Sequence, residues 1–480
     1  MRHRGLMASA PAHRAWWIGI IGVLLVACGG DAPKLPPPPT SLPPASAPTM
    51  GTMDGSTPGA VIPLSPMPTG AGMSTVGSVP TTDGTPGTAG SAPVGTAPVG
   101  MGSATGTIGT SAPGSAAPTP RPKSADLTQL HLGDSGDGYG FNVWGLDPND
   151  AFRDKVNTEV QDAGFGWVRQ QVSWAAMEPK KGNFGTDTTA FLDKFVDGAA
   201  AKNLKIMLSV VKSPDWVGAN GGLPPQAQDF ADYMTFLTQR YKGKVQAYEI
   251  WNEQNYALET GGKVSVAAYL PVLKAGYQTV KKYDPKAVVV FGGLTPTGVD
   301  DPAIALNDVQ YLRQIYALNG GEVKGYYDVM GAHPGSNCNP PDASWPANPP
   351  MNDCGTDPDG GRSFTKDNSF YFQRIQDQRK VMEDAGENGK KMWVTEFGWT
   401  TANQAPGYEY GKYVSEDQQA QYLTRAFELG RSYPWMGVMF VWNLNFASIT
   451  MPSDEKYPWG VLKADGSPRP SYNALKAMPK

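Results

Sequence analysis

Two glutamates carry the chemistry that this sequence can offer. The stretch Tyr248-Glu249-Ile250-Trp251-Asn252-Glu253-Gln254-Asn255 closes an apolar run beginning near Val245, and a loop follows. A second stretch, Met392-Trp393-Val394-Thr395-Glu396-Phe397-Gly398-Trp399, repeats the pattern. A carboxylate at the carboxyl end of a parallel strand stands where barrel proteins do their chemistry. Two carboxyls held close cannot both ionise easily, so near neutral pH one keeps its proton. Such a pair supplies a nucleophile and a proton donor without a metal.

The elements that must position them are legible from about residue 138 onward. Short apolar runs alternate with amphipathic stretches, and runs apolar on both faces suit a parallel sheet covered by helices. The runs are Tyr139–Trp144, Trp167–Val172, Lys205–Val211, Val245–Trp251, Ala287–Gly292, Val329–Ala332, Lys391–Glu396 and Gly437–Asn443. Helical stretches separate them: Asp150–Ala163, Thr188–Lys202, Gln226–Tyr241, Val264–Tyr283, Asp308–Leu318, Phe370–Ala385, Glu416–Ser432 and Pro470–Met478. Pro271 is expected to delay or kink the fourth. Eight strand–helix units predict an α/β fold, a (β/α)8 TIM barrel over 126–480. An open doubly wound sheet is the alternative, and no Gly-rich phosphate loop follows the first strand to favour it. Glu253 then closes strand four and Glu396 strand seven, on facing sides of one rim.

Retaining cleavage of a glycosidic bond needs this arrangement, with two carboxyl groups about 5–5.5 Å apart. Trp251-Asn252-Glu253 and Thr395-Glu396-Phe397-Gly398 resemble the two signatures of the clan-A retaining glycoside hydrolases, over roughly residues 138–480. The resemblance implies Glu253 as acid/base, Glu396 as nucleophile, and Asn252 as hydrogen-bonding the sugar C2 hydroxyl. Within the clan, three phrases look closest to family thirty-nine, with family five the near rival. They are Val172-Ser173-Trp174 leading to Glu178-Pro179, Asp328-Val329-Met330-Gly331-Ala332-His333-Pro334, and Asp465-Gly466-Ser467-Pro468-Arg469-Pro470-Ser471-Tyr472. Relatives show a Tyr just after the His-Pro pair; this chain has Gly335.

The resemblance also assigns supporting roles, each with a plainer alternative. Arg169 on strand two would hydrogen-bond the nucleophile and keep it ionised; alternatively it forms a core ion pair with Glu249. His333 would contact sugar or be a core histidine. Trp442, at the end of strand eight, would floor the cleavage subsite. Trp174 is expected to bind substrate, and Trp216, Trp345 and Trp399 also follow strand ends; each serves either a subsite or packing. The Glu253/Glu396 pair is expected to act on a β-linked glycan, and long, Trp-bearing strand-end loops favour an oligo- or polysaccharide. A catalytically inactive carbohydrate-binding barrel should have lost one glutamate, and both are present. A transglycosylase would share the same residues and intermediate. A metal-dependent hydrolase needs several ligands at strand ends, and only His131 and His333 lie in the barrel region. No cofactor is expected.

The remaining features concern export. Arg2, Arg4 and Arg14 precede an apolar run, Ala15 to Ala27, too short to span a bilayer comfortably. Its end, Leu25-Val26-Ala27-Cys28-Gly29, resembles a bacterial lipobox. The expectation is a lipoprotein signal over 1–27, lipidation of Cys28, and a lipid anchor holding a secreted protein at the cell surface or outer membrane. A plain signal peptide with a chance cysteine, or a weak membrane anchor, is the alternative. Residues 28–125 are Pro, Gly, Ser, Thr and Ala with few charges, and are expected to be a disordered tether. The other two of three cysteines, Cys338 and Cys354, bracket a Pro-rich loop. In an exported protein they are expected to pair, for roughly 3 kcal/mol by loop closure. The chain carries a net charge of −4, so it has no nucleic-acid signature. Without residues 1–123 the balance is 34 basic to 41 acidic, or −7, which does not favour a polyanionic substrate. The protein is expected to act as a monomer.

Overall fold

In a computed structural model, eight parallel strands close into a barrel. The structure describes residues 126–133, 137–346, 354–356 and 361–480. The expected signal, Cys28 and the tether lie outside the described residues. The strands are β1 (Tyr139–Asn142), β2 (Trp167–Ser173), β3 (Lys205–Val211), β4 (Ala247–Ile250), β5 (Val288–Phe291), β6 (Val329–Ala332), β7 (Met392–Phe397) and β8 (Met436–Val441). Each pairs with its sequence neighbours, and β1 pairs with β8 to complete the ring. Ring closure decides between the barrel and the open sheet.

The helices are α1 (Asp150–Asp162), α2 (Asp187–Ala201), α3 (Ala227–Arg240), α4 (Val266–Tyr283), α5 (Asp308–Ala317), α6 (Arg374–Asp384), α7 (Glu416–Ser432) and α8 (Pro470–Ala477). Side-chain N-caps begin several of them, and Ser415 with Gln418 forms a full capping box on α7. α4 runs on through Pro271. The sixth helix starts at Arg374 rather than Phe370, because Asn368–Phe370 forms a separate 3-10 turn capped by Asp367.

The strand residues explain where chemistry is placed. Inside the barrel, Trp167, Met207, Ala247, Val288, Val290, Val329, Trp393, Val438 and Phe440 fill the lower layers with apolar side chains. Trp167 packs edge-on to Trp393 at 5.1 Å. Alternate residues such as Val168 and Val172 point outward to the helices. Above the apolar plug the interior turns polar: Asn142, Arg169, Ser209, Glu249, His333 and Thr395 are all buried. A buried polar layer must be hydrogen-bonded to be tolerated, and that layer supports the site.

Candidate active site

Arg169 is the centre of the polar layer. Two residues above Trp167 on β2, it points inward and is fully buried. Its Nε and Nη2 donate to Glu249 Oε2 at 2.8 and 2.6 Å. Nη1 donates to Glu396 Oε1 at 2.5 Å and to Asn142 Oδ1 at 2.6 Å. Nη2 also reaches Asn252 Oδ1 at 2.7 Å and Ser209 Oγ at 3.1 Å. The two readings of this arginine therefore both hold: one guanidinium serves the Glu249 ion pair and the Glu396 carboxyl together.

Glu396 reaches the interior through an irregularity in β7. Strict alternation from inward Trp393 would turn Thr395 in and Glu396 out. Three residues on β8, from Met439 to Val441, face four on β7, from Val394 to Phe397. The extra residue is a bulge that re-aims its side chain, so Thr395 and Glu396 both join the polar layer. Glu253 arrives differently. β4 ends at Ile250, and Trp251 and Glu253 take left-handed φ values of 69° and 48°. Such backbone costs on the order of 1–3 kcal/mol per residue and persists where surroundings fix it. Here the Glu253 N–H donates to Gly293 O at 2.8 Å, and Trp251 Nε1 to Glu259 O at 2.9 Å.

His333, directly after β6, joins the two glutamates. Its Nδ1 lies 3.1 Å from Glu253 Oε1 and its Nε2 3.0 Å from Thr395 Oγ1. One ligand-type atom from each of Glu253, His333 and Glu396 lies within 4.8 Å of the other two. That spacing would also suit a small cation. The guanidinium already on Glu396, and the His333 contacts to Glu253 and Thr395, instead satisfy these groups among themselves. Gly293 makes the closeness feasible, since a Cβ there would stand 2.4 Å from His333 Nε2.

The electrostatics separate the two carboxyls. Burial raises Glu253 to about 7, against the hydroxyl of Thr295 and the more distant Arg169 and Lys212. Burial also raises Glu396, while His333 and the touching Arg169 pull it down. Of the two, Glu396 alone has a cation in contact among the described residues, so it is the member of the pair that ionises first. Burial lowers His333, so the imidazole is held neutral. Burial would raise Glu249, but Arg169 keeps it below the usual carboxylate range.

The sequence model for Cellulase (glycosyl hydrolase family 5) matches residues 134–446, which include both glutamates. The chain belongs to glycosyl hydrolase family 5. Family five, read as the rival to family thirty-nine, is thus the one this chain fits. Solved structures share the barrel. A family 39 glycoside hydrolase from Bacteroides cellulosilyticus WH2 has a TM-score of 0.50 at 23% identity, over 74% of this chain and 64% of that one. A GH5_18 protein from Streptomyces cattleya in complex with GlcNAc has 0.51 at 14%, over 71% and 79%. A GH5_18 from Bifidobacterium longum subsp. infantis has 0.51 at 12%, over 70% and 77%. The chain therefore spans just under two thirds of the family 39 structure's length, and likeness at these identities shows the fold.

Around the glutamates, this family 5 domain keeps some of the expected residues and removes others. Asn252 gives its oxygen to Arg169, a donor-only group, which turns its amide nitrogen away from the arginine. Trp442 follows β8 with a trace of exposure, its ring against Phe446 at 4.9 Å and its backbone N–H donating to Phe397 O. Trp174 is a correction. It is 0% exposed, stacked on Tyr233 at 5.3 Å, with Nε1 donating to Glu178 Oε2 at 2.6 Å. The residue begins a short helical turn, Trp174–Met177, that carries it away from the rim into the packing against α3. Trp399 is likewise buried, bonded to Asn339 O. Cys338 and Cys354 form the expected disulfide. Among the described residues of the loop they close, Asp342 is held by Arg425 of α7 and Pro341 O accepts from Gln373. The sequence analysis gave no role to Asn142, Ser209, Thr395 or Gln171. Gln171 had a signal, standing two residues from Arg169 on the same strand face. Thr395 had the same signal, standing two residues from inward Trp393, whereas the inward turn of Glu396 had none, since the bulge is not written in the alternation.

Proposed function

We propose that this family 5 domain hydrolyses a β-linked oligo- or polysaccharide with retention, by double displacement. One observation carries the reading: oxygens of the Glu253 and Glu396 carboxyls lie within 4.8 Å of each other, suited to the retaining spacing and short of the 6.5–9.5 Å of inverting pairs. In the first step an oxygen of ionised Glu396 attacks the anomeric carbon. The glycosidic C–O bond breaks, and the leaving oxygen takes the proton of Glu253. In the second step Glu253, now a carboxylate, takes a proton from water. The water oxygen bonds to the anomeric carbon and displaces Glu396, so the sum is one water consumed per bond.

Arg169 keeps Glu396 ionised, the amide nitrogen of Asn252 donates to the C2 hydroxyl, and the ring of Trp442 lies beneath the sugar. Carbohydrate C–H groups on an aromatic face suit this pairing. The lipobox-like Cys28 would hold the domain at a bacterial surface, within reach of external glycan. Proton NMR of the first-formed product from a β-glycoside tests the reading. The β-anomer is expected to appear first and then mutarotate; an α-anomer appearing first would overturn it.

A further inference from the structure

Gln171 stands one step above Arg169 on β2, in register with Ser209 of β3. Its side chain lies half-buried at the mouth, above the fully buried guanidinium. Nε2 is 3.4 Å from Glu396 Oε1, the same oxygen that Arg169 Nη1 contacts at 2.5 Å. Since an ionised carboxylate only accepts, the amide must present its nitrogen there. The backbone beneath it is braced: Gln170 Nε2 donates to Gln171 O at 2.8 Å, and Gln170 Oε1 accepts from Gly145 N at 2.7 Å. The strand thus fixes the direction from which the amide approaches.

The two oxygens of Glu396 are consequently unlike. Oε1 takes both donors from β2, and His333 Nε2 stands 4.0 Å from it while engaged by Thr395. The hydrogen bonds that Glu396 accepts from described residues both fall on Oε1, and none falls on Oε2. Among the described residues, Glu253 has no such pair of donors from a single strand.

We propose that Gln171 is a positioning residue for Glu396: with Arg169 it clamps Oε1, leaving Oε2 as the oxygen that attacks the anomeric carbon. This rests on Glu396 being the nucleophile. The clamp does two things. It fixes the carboxylate plane, so that one lone pair faces the substrate. It also adds a neutral donor to the ionised form, favouring that form without a second cation that would attract the leaving group. A hydroxyl donor, such as the Tyr that follows the His-Pro pair in relatives, could do the same from β6; here Gly335 leaves that place without a side chain.

The test uses a β-glycoside with a dinitrophenol leaving group, which departs without a proton and so isolates Glu396. Gln171→Leu and Gln171→Glu are compared with the unaltered protein in kcat/KM across pH, with circular dichroism and Tm as checks on folding. Gln171→Leu is expected to lower kcat/KM on the order of tenfold, the effect of one hydrogen bond to a charged group, and to move the acid limb to higher pH. Gln171→Glu sets a like charge beside Glu396 and should move that limb further in the same direction. Folded variants whose acid limbs coincide with that of the unaltered protein would overturn the proposal. Glu396→Ala is measured alongside. If it stays active, the nucleophile assignment itself has failed; if it is inactive while both Gln171 variants keep the original acid limb, only the clamp has failed.

Discussion

Arg169 Nη1 lies 2.5 Å from Glu396 Oε1, while the same guanidinium holds buried Glu249 through Nε and Nη2. One cation therefore ties the reactive carboxyl to the barrel's polar core. Removing it should do two kinds of damage. Arg169→Met leaves Glu249 as an unpaired buried charge and is expected to cost about 3–5 kcal/mol of stability. Among molecules that still fold, kcat/KM should fall at least a hundredfold and the acid limb should rise. Arg169→Lys restores a charge without the fork and should recover only part of either loss. Denaturation midpoints and pH–rate profiles check both.

The proton on Glu253 makes a second prediction. Its folded value of about 7 lies above the ordinary glutamate value. As the group that must be protonated to help the leaving oxygen depart, it should limit the basic side, so kcat/KM on a poor leaving group falls as pH passes about 7. The stability sign follows from the same shift. A carboxyl raised on folding favours the native state at low pH, and that contribution is lost as pH rises through the folded value. Glu253→Gln should therefore be inactive on poor leaving groups, yet more stable than the parent at pH 8. The gain is bounded at about 3 kcal/mol by the shift and is smaller in practice, because the side chain keeps some contact with solvent. Equal stability of the two proteins at pH 8 would contradict the raised value.

The two tryptophans expected at the cleft should now part company. Trp442→Ala removes a nearly buried ring packed on Phe446 and is expected to reduce activity about a hundredfold, with a smaller loss of Tm than Trp174→Ala. Trp174→Ala opens a cavity among Tyr233, Phe230 and Trp216 and is expected to cost about 3–5 kcal/mol. Its folded fraction should keep normal KM. Thermal denaturation with steady-state kinetics on both variants separates the roles.

Cys28 carries the surface-tether proposal. Expressed in a bacterium with a fatty-acid probe, the protein should take up label and partition with membranes, and Cys28→Ser should do neither. Membrane partition without label in the unaltered protein would point to an uncleaved apolar anchor instead.

The alternation of largely apolar runs and amphipathic stretches is enough to place all eight strands, because a strand covered on both faces carries mostly apolar side chains. Glu253 and Glu396 were legible as types at strand ends. What was not legible was how they turn inward. Glu253 needs two left-handed residues beyond β4, and Glu396 needs one extra residue in β7; neither departure follows from period-two reasoning. Arg169 was weighed between two partners because sequence spacing assigns a side chain to a face and not to a neighbour. Trp174 was misplaced for a related reason. A residue directly after a strand is expected to line the rim, but Ser173 caps a helical turn immediately after β2 and swings the indole into the core.

Covalent trapping of Glu396 tests the central claim most directly. A panel of fluorosugar β-glycosides with dinitrophenol leaving groups slows the second step more than the first, so a glycosyl-enzyme accumulates. Intact mass should rise by one fluoroglycosyl unit, and peptide mapping should find it as an ester on Glu396, absent from Glu396→Ala and still formed by Glu253→Ala. Attachment to another residue would contradict the account, as would turnover of these substrates by a Glu396→Ala protein that remains folded.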